Sequence, residues 1–259
     1  MATLVKLRMP LLQVAAVLAL LGLWHWGTVS GVLDTFVVGT PGETLGQLWN
    51  WTADGTLLRS SLSTLQVLLL GWGIGTVIGV IVGAMIGLNE FLRLVTDPFI
   101  TFFNGMPRLI LYPFLAVWLG FGLQSKILLV VLVIVVVVIT IVASGFRDVD
   151  PDLISNSKLM GARRIDIARN VYAPALATWL IGSARVTLGY AFQASITAEF
   201  IGASKGLGYL VVFGESRFNM NEIWAALAAV VAIAWALDGL IGLWERRATR
   251  WSGVGAGAR

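Results

Sequence analysis

Few side chains in this sequence could do covalent chemistry. There is one His and no Cys among 259 residues, which excludes thiolate chemistry, disulfides and Cys-ligated metal. His25 stands between Trp24 and Trp26 beside an apolar stretch, and packing near a membrane interface accounts for it. The acids are scattered, and with a lone His they assemble neither a catalytic constellation nor a metal site. No Gly-x-x-x-x-Gly-Lys-Ser/Thr loop is present to cradle phosphates, so the chain is expected to hydrolyse nothing itself. What remains is the chemistry of charge inside apolar sequence. Arg108 follows Pro107 deep in a hydrophobic stretch. An unpaired guanidinium in lipid costs at least ~2.5 kcal/mol, so Arg108 is expected to face a cavity or a partner. The alternative is a scaffold Arg held by backbone carbonyls or snorkelling to an interface. Glu199 and Asp238 raise the same question, with a structural role as the alternative for each.

The elements that position these residues follow from composition. Hydrophobic residues make up 58% of the chain and charged residues 12%, with mean hydropathy +0.86, against about a quarter charged in a soluble domain. Such a chain cannot cover a water-facing surface, so its outside must face lipid. The expected fold is all-α: one polytopic domain over 1–259, a helical bundle with about six spans and a core near 60–245. The spans are placed at about Leu11–Thr28, Ser61–Leu88, Phe99–Leu119, Ile127–Val142, Ala175 to the Gly-rich stretch Gly202–Gly208, and Ile223–Leu243. The third is interrupted by Pro107 and Pro113. The β-branched run Val130–Val138 would favour a strand in water, but in lipid its backbone must bond within the segment, and helix wins. A basic start before the first apolar stretch also fits a cleaved leader, yet its length and the spans that follow favour a retained helix.

Lys and Arg orient the bundle. With the N-terminus inside, twelve lie on the cytoplasmic side and four opposite (Arg59, Lys126, Lys205 and Arg217), so both termini are expected to be cytoplasmic. The tail over 244–259 is basic. The net charge of +4 could suggest nucleic acid, but it sits at span ends rather than on a soluble face.

Two features go beyond topology. Gly71, Gly75, Gly79, Gly83 and Gly87 recur every fourth residue, so they share one helix face and let another backbone approach closely. The approaching backbone belongs to a helix of this chain or to a second subunit. The segment over 146–173 is longer and more polar than a connector requires. Asp150-Pro151 reads as a helix start, Ser155–Met160 as a short helix, Gly161 as a turn and Arg163–Val171 as a second helix, with Pro174 opening the next span. Such a hairpin suits a groove on another protein; lying on anionic headgroups is the alternative.

Gly161-Ala162-Arg163-Arg164, with Pro174 thirteen residues after the glycine, resembles the cytoplasmic signature of binding-protein-dependent ABC permeases. Other stretches are similar to the branch that includes taurine, alkanesulfonate, nitrate and bicarbonate importers. These are Gly39-Thr40-Pro41, Asp97-Pro98, Met106-Pro107-Arg108, Trp118-Leu119-Gly120-Phe121-Gly122, Ala198-Glu199-Phe200-Ile201-Gly202 and Gly206-Leu207-Gly208-Tyr209-Leu210. They cover nearly the whole chain. The departure is Ser155-Asn156-Ser157 where the family usually has Glu-Ala-Ala, and Ala173 where it has Leu.

The resemblance implies a permease subunit of the type I importer fold in a bacterial inner membrane. It implies a second permease subunit, identical or different, two cytoplasmic ATPases and an extracytoplasmic solute-binding protein. ATP and Mg would be bound by the ATPases, leaving no cofactor here. Ser155, Asn156, Ser157, Lys158, Leu159, Met160, Gly161, Ala162 and Arg163 would couple to the ATPase. Arg108, Asn104, Gln193 and Glu199 are the candidates for the path of a small anion such as a sulfonate, nitrate, bicarbonate or carboxylate, while Gly75, Gly79, Gly83 and Gly87 pack helices. A secondary transporter or channel without an ATPase is the alternative; it would need intramembrane carboxylates, and no obvious pair exists.

Overall fold

The computed structural model describes residues 2–202 and 204–248, with side chains from Leu12 onward except that of Arg164. Expectations placed on Met1, on Ala203 in the Gly-rich stretch, and on the basic tail beyond Ala248 lie outside the described residues. Among these, every regular element is a helix. The chain opens with α1 (Ala2–Val29), a short α2 (Thr35–Val38) and α3 (Pro41–Ala53). It continues through α4 (Thr56–Leu88), α5 (Glu90–Gly105), a 3-10 turn at Arg108–Leu111 and α6 (Tyr112–Leu119). Then come α7 (Leu123–Arg147), α8 (Pro151–Leu159), α9 (Arg164–Ile167), α10 (Ala173–Gly202), α11 (Leu207–Ser216) and α12 (Met220–Ala248). α1, α4, α7, α10 and α12 are each long and apolar enough to cross a membrane. Large apolar side chains stand exposed along them, including Leu20, Val77 and Trp235, as a lipid-facing surface requires.

The glycine face of α4 packs against α7 within the chain. A Cβ built on each glycine would meet one side chain: Gly71 meets Val130, Gly75 Ile134, Gly79 Val138, Gly83 Val142 and Gly87 Phe146. The partner's number is always 59 higher, so α4 and α7 run parallel and in register. Helices of equal hydrophobicity to lipid gain little from burial, so close packing over about 24 Å must hold this pair. Each bulky side chain of α7 fills the space that a missing Cβ leaves. Val67 and Leu68 of α4, Ile134 of α7, and Leu188 and Ala191 of α10 belong to the same buried core.

Parallel packing dictates the element between. Leu88 ends beside the last turns of α7, whereas Leu123 begins level with about Thr64, so the intervening residues must return across the bilayer. They do so as a broken span: α5 and the Arg108–Leu119 stretch meet at 87°. The break lies at Met106-Pro107, where Met106 is extended and both residues stand outside the helices. Pro107 supplies no N–H to continue α5 and disfavours a helical Met106. Pro113 interrupts nothing, because it sits in the first turn of α6 where its N–H is not needed. Pro98 lies inside α5, which starts nine residues earlier than expected, at Glu90, where the Asn89 side chain caps it.

α10 runs back antiparallel to α4, with Trp72 Nε1 donating to Thr187 Oγ1 (3.1 Å) and Thr64 meeting Glu199. α12 returns beside it through Arg185 and Asp238. α1 ends against α12, Trp24 on Trp224. α1 therefore begins, and α12 ends, on the face that carries α8 and α9. At the opposite end Trp51 of α3 seals a cluster with Leu207 of α11 and Ala226 of α12, and Asn221 Oδ1 accepts the Thr40 N–H (2.7 Å).

The expected second helix of the hairpin is not separate. α9 passes through a π turn at Ala168–Tyr172 straight into α10, with the Ala173 N–H bonded to the Ala168 carbonyl. The cause is Pro174, which cannot donate and whose ring crowds the carbonyl four residues back, so the helix widens ahead of it.

Gly79→Ala should lower stability by about 1–3 kcal/mol through overpacking, and adding Val138→Ala should recover most of the loss. Gly73, whose Cβ would meet nothing within 4 Å, should accept Ala without loss. Recovery of monodisperse protein after heating in detergent would show the contrast.

Candidate functional site

Arg108 opens the 3-10 turn immediately after the Pro107 break. Its Nη1 donates to the Val133 carbonyl at 2.9 Å, near the midpoint of α7 and so near mid-bilayer. Among the described residues no carboxylate lies within ion-pairing distance of it, and its other N–H groups meet no acceptor. Tyr190 on α10 lies within electrostatic range of it. Beside the guanidinium is an apolar cavity of about 340 Å³, bounded by Phe99 and Phe103 of α5 and by Val135 and Ile139 of α7. Held by one carbonyl, the cation keeps most of its donors for something else.

Tyr190 belongs to a face of α10 that no helix covers among the described residues. Gly182, Val186, Gly189, Tyr190, Gln193 and Phe200 are all exposed and recur at helical spacing. Gln193 thus stands one turn from Tyr190 on the same face. Asn104, one turn before the break, donates from Nδ2 to Thr140 Oγ1 on α7 (3.2 Å). At the other edge of the α10 face Arg185 pairs with Asp238 (Nε to Oδ1, 3.1 Å), both about half exposed. Gly242 makes room for that guanidinium, since a Cβ there would collide with Arg185 Nη2.

Glu199 is not on this face. It is 1% exposed, and it staples α10 to α11. Thr64 Oγ1 donates to its Oε2 at 2.8 Å, and the Gly208 N–H donates to the same oxygen at 3.1 Å. Thr64 Oγ1 in turn accepts the Leu207 N–H at 2.9 Å. A carboxylate and a hydroxyl thus satisfy the first N–H groups of α11, whose preceding residue Gly206 offers no side-chain cap. Gly206 is required twice, by its φ of +116° and because a Cβ there would strike the Glu199 carboxyl. Sequence reasoning missed Thr64, a neutral residue 135 positions from its partner; its one signal was a hydroxyl on an apolar helix.

The hairpin is built as expected at its turn. Asp150 accepts the Asp152 N–H, and Pro151 takes the first position of α8. α8 extends back to Pro151, beyond the expected Ser155. At its end Gly161, φ +83°, donates to the Lys158 carbonyl, and the Ala162 N–H reaches back to Ser157. This pattern needs left-handed backbone at Gly161. Asp166 Oδ2 then accepts the Arg163 N–H at 2.9 Å and caps α9, a role not anticipated. Ser155, Asn156, Ser157 and Lys158 occupy the last turns of α8. Leu159 and Met160 project from the tip at 86% and 88% exposure, with Ile165 exposed beside them.

The family model described as "Binding-protein-dependent transport system inner membrane component" matches residues 75–250. The taurine transport system permease protein TauC of Escherichia coli is 26% identical over 247 residues, covering 93% of this chain and 90% of the relative. The riboflavin transport system permease protein RibX of Chloroflexus aurantiacus is 28% identical over 234 residues, covering 90% and 87%. The MetNI methionine ABC transporter, solved in an inward-facing conformation, contains a chain that superposes with TM-score 0.67 at 22% identity, over 77% of this chain and 99% of that one.

Thr64→Val would leave the Leu207 N–H and one bond of Glu199 unmet in a buried site, at about 1–3 kcal/mol for each orphaned group. The expected result is a lower melting temperature in detergent, with hydrogen exchange accelerated over α11 and unchanged along α7.

Proposed function

The chain belongs to the binding-protein-dependent transport system inner membrane components, and on that premise we propose that it forms half of the path of an ATP-driven importer for a small anion. One observation carries the reading. A continuous helical run joins a hairpin with an exposed apolar tip to the uncovered face of α10 beside Arg108. A force applied at the tip therefore reaches the middle of the bilayer through one rod.

The uncovered α10 face would meet its counterpart in a second permease subunit, identical or different, and the solute would pass between them. Arg108, with Tyr190 and Gln193, offers a cation and neutral donors at mid-span. An anion satisfies the donors that the Val133 carbonyl leaves free. The relative named for taurine, a sulfonate, supports that solute class; the relative named for riboflavin shows that related permeases serve other solutes. Asn104 would hold α5 to α7 at the break. Glu199, stapling α10 to α11, would shape the path without lining it.

The basic residues around the hairpin favour a cytoplasmic position for that face, and with it for both termini, by the positive-inside rule. Leu159 and Met160 would enter an apolar groove on a cytoplasmic ATPase, which binds the ATP and Mg; a solute-binding protein would deliver from the opposite face. Closure of paired ATPases would move the hairpins and bias the spans between two arrangements. Ser155-Asn156-Ser157 lacks the usual acid, so docking would rest on the apolar tip and the Gly161 turn.

Arg108→Ala should cut solute uptake in proteoliposomes by about tenfold or more, the worth of a charge-assisted hydrogen bond, while assembly and basal hydrolysis persist; unchanged uptake kinetics would return Arg108 to a scaffold role.

Gly161→Val, strained by about 1–3 kcal/mol at its positive φ, and Leu159→Asp should both insert normally yet lose the ATPase on co-purification. If both variants bind it and support solute-stimulated hydrolysis like the parent, the hairpin is not the coupling element.

A further inference from the structure

At the end of the bundle opposite the hairpin, a cavity of about 670 Å³ opens between the start of α4 and the α10–α11 turn. Its charged groups are Arg59 and Lys205; Thr56, Ser60, Ser63, Gln66, Ser204 and Tyr209 supply hydroxyls and an amide, and no carboxylate lines it. We propose that this cavity is a binding site for a small water-borne oxyanion, whose charged group is held between Arg59 and Lys205.

The cations are available. Arg59 Nη2 makes only long bonds, to the Asp54 carbonyl (3.3 Å) and Thr56 Oγ1 (3.4 Å). Asp54 directs Oδ1 at the Thr56 N–H (2.8 Å); it stands within coulombic range of Arg59 but makes no ion pair with it. Lys205 is exposed, and among the described residues its Nζ has no acceptor. Behind it Lys126 Nζ donates to the Lys205 carbonyl (3.3 Å). Glu199, whose Oε2 takes the Thr64 and Gly208 bonds and whose Oε1 has no hydrogen-bond partner, faces Lys126 and offsets that charge rather than those of Arg59 and Lys205. Arg59 and Lys205 are thus left in surplus.

The alternative occupant with the same chemistry is a phospholipid phosphate, since Arg, Lys and Tyr also collect at membrane interfaces. The lining of α4 argues for water. Arg59, Ser63 and Gln66 lie on one face at i, i+4 and i+7, so the polar stripe extends about 10 Å along the helix toward the bilayer centre. Elsewhere α4 exposes Leu69, Leu70 and Ile74. A headgroup needs polar partners at the interface only, whereas a water-filled mouth needs them along its depth. The site stands without the importer reading; only its use as an antechamber for the anion that Arg108 would meet rests on that reading.

Equilibrium binding of radiolabelled sulfate to the full chain in phosphatidylcholine nanodiscs tests this. Binding should be saturable and should weaken about tenfold in Arg59→Gln and in Lys205→Gln, the worth of one charge-assisted hydrogen bond. Arg93→Gln, at the opposite end, should bind like the parent. Sulfate binding indifferent to both cavity substitutions would overturn the proposal. So would an absence of sulfate binding in a chain that retains phosphatidylglycerol from mixed nanodiscs through Arg59 and Lys205, which would make the cavity a lipid site. The assay needs no ATPase and no uptake, so normal ATP-driven uptake without sulfate binding would overturn the cavity alone. Binding with no ATPase association would support the cavity and leave the coupling reading to fail separately.

Discussion

Five glycines at four-residue intervals let α4 lie against α7 so closely that Val130, Ile134, Val138 and Val142 occupy the space of their absent side chains. Water cannot drive this contact, because lipid is as apolar as either helix; shape and dispersion hold it. Much else follows from its parallel register. The chain between the two helices must cross back, and it breaks at Pro107 on the way. The break delivers Arg108 to a backbone carbonyl halfway along α7. α10 closes over the remaining side of α7 and presents its far face to whatever lies outside the subunit.

Charge in the membrane is handled in three ways. Glu199 is locked into a helix start, with two donors on one carboxylate oxygen. Arg185 and Asp238 neutralise each other across α10 and α12 while staying half exposed. Arg108 has only a carbonyl. Glu199 keeps its other oxygen buried without a hydrogen-bond partner, the Arg185–Asp238 pair is balanced, and Arg108 alone stands unfinished beside a cavity, which sets it apart as the group with most to gain from a ligand.

Much of this was legible in the sequence. The glycine period announced a close helix contact, but not its partner, because any apolar helix with bulky residues every fourth position would serve. The Asp150-Pro151 start and the Gly161 turn were readable from local backbone chemistry. The helix after the turn was misjudged as separate, since a proline usually marks a boundary and here it only widens a turn. Arg108 stood out because an ion in lipid demands an explanation. Thr64 did not, because its bonds to Glu199 and Leu207 join residues far apart in sequence. Grouping Glu199 with the path residues reflected its charge alone; burial against Gly206 and Gly208 separates it from them.

The π turn ahead of Pro174 carries a geometric consequence. A five-residue turn holds one residue more than an α-helix would, so everything beyond it is advanced in phase by roughly one residue, about 100° of rotation. The azimuth of Tyr190 and Gln193 relative to the hairpin is therefore determined at Pro174, more than four turns (about 4.4) from the nearer of them on the rod and outside both sites. A helix without that widened turn would carry the same residues in the same order yet aim a different stripe outward. In this chain one missing amide hydrogen acts as the key that indexes the shaft.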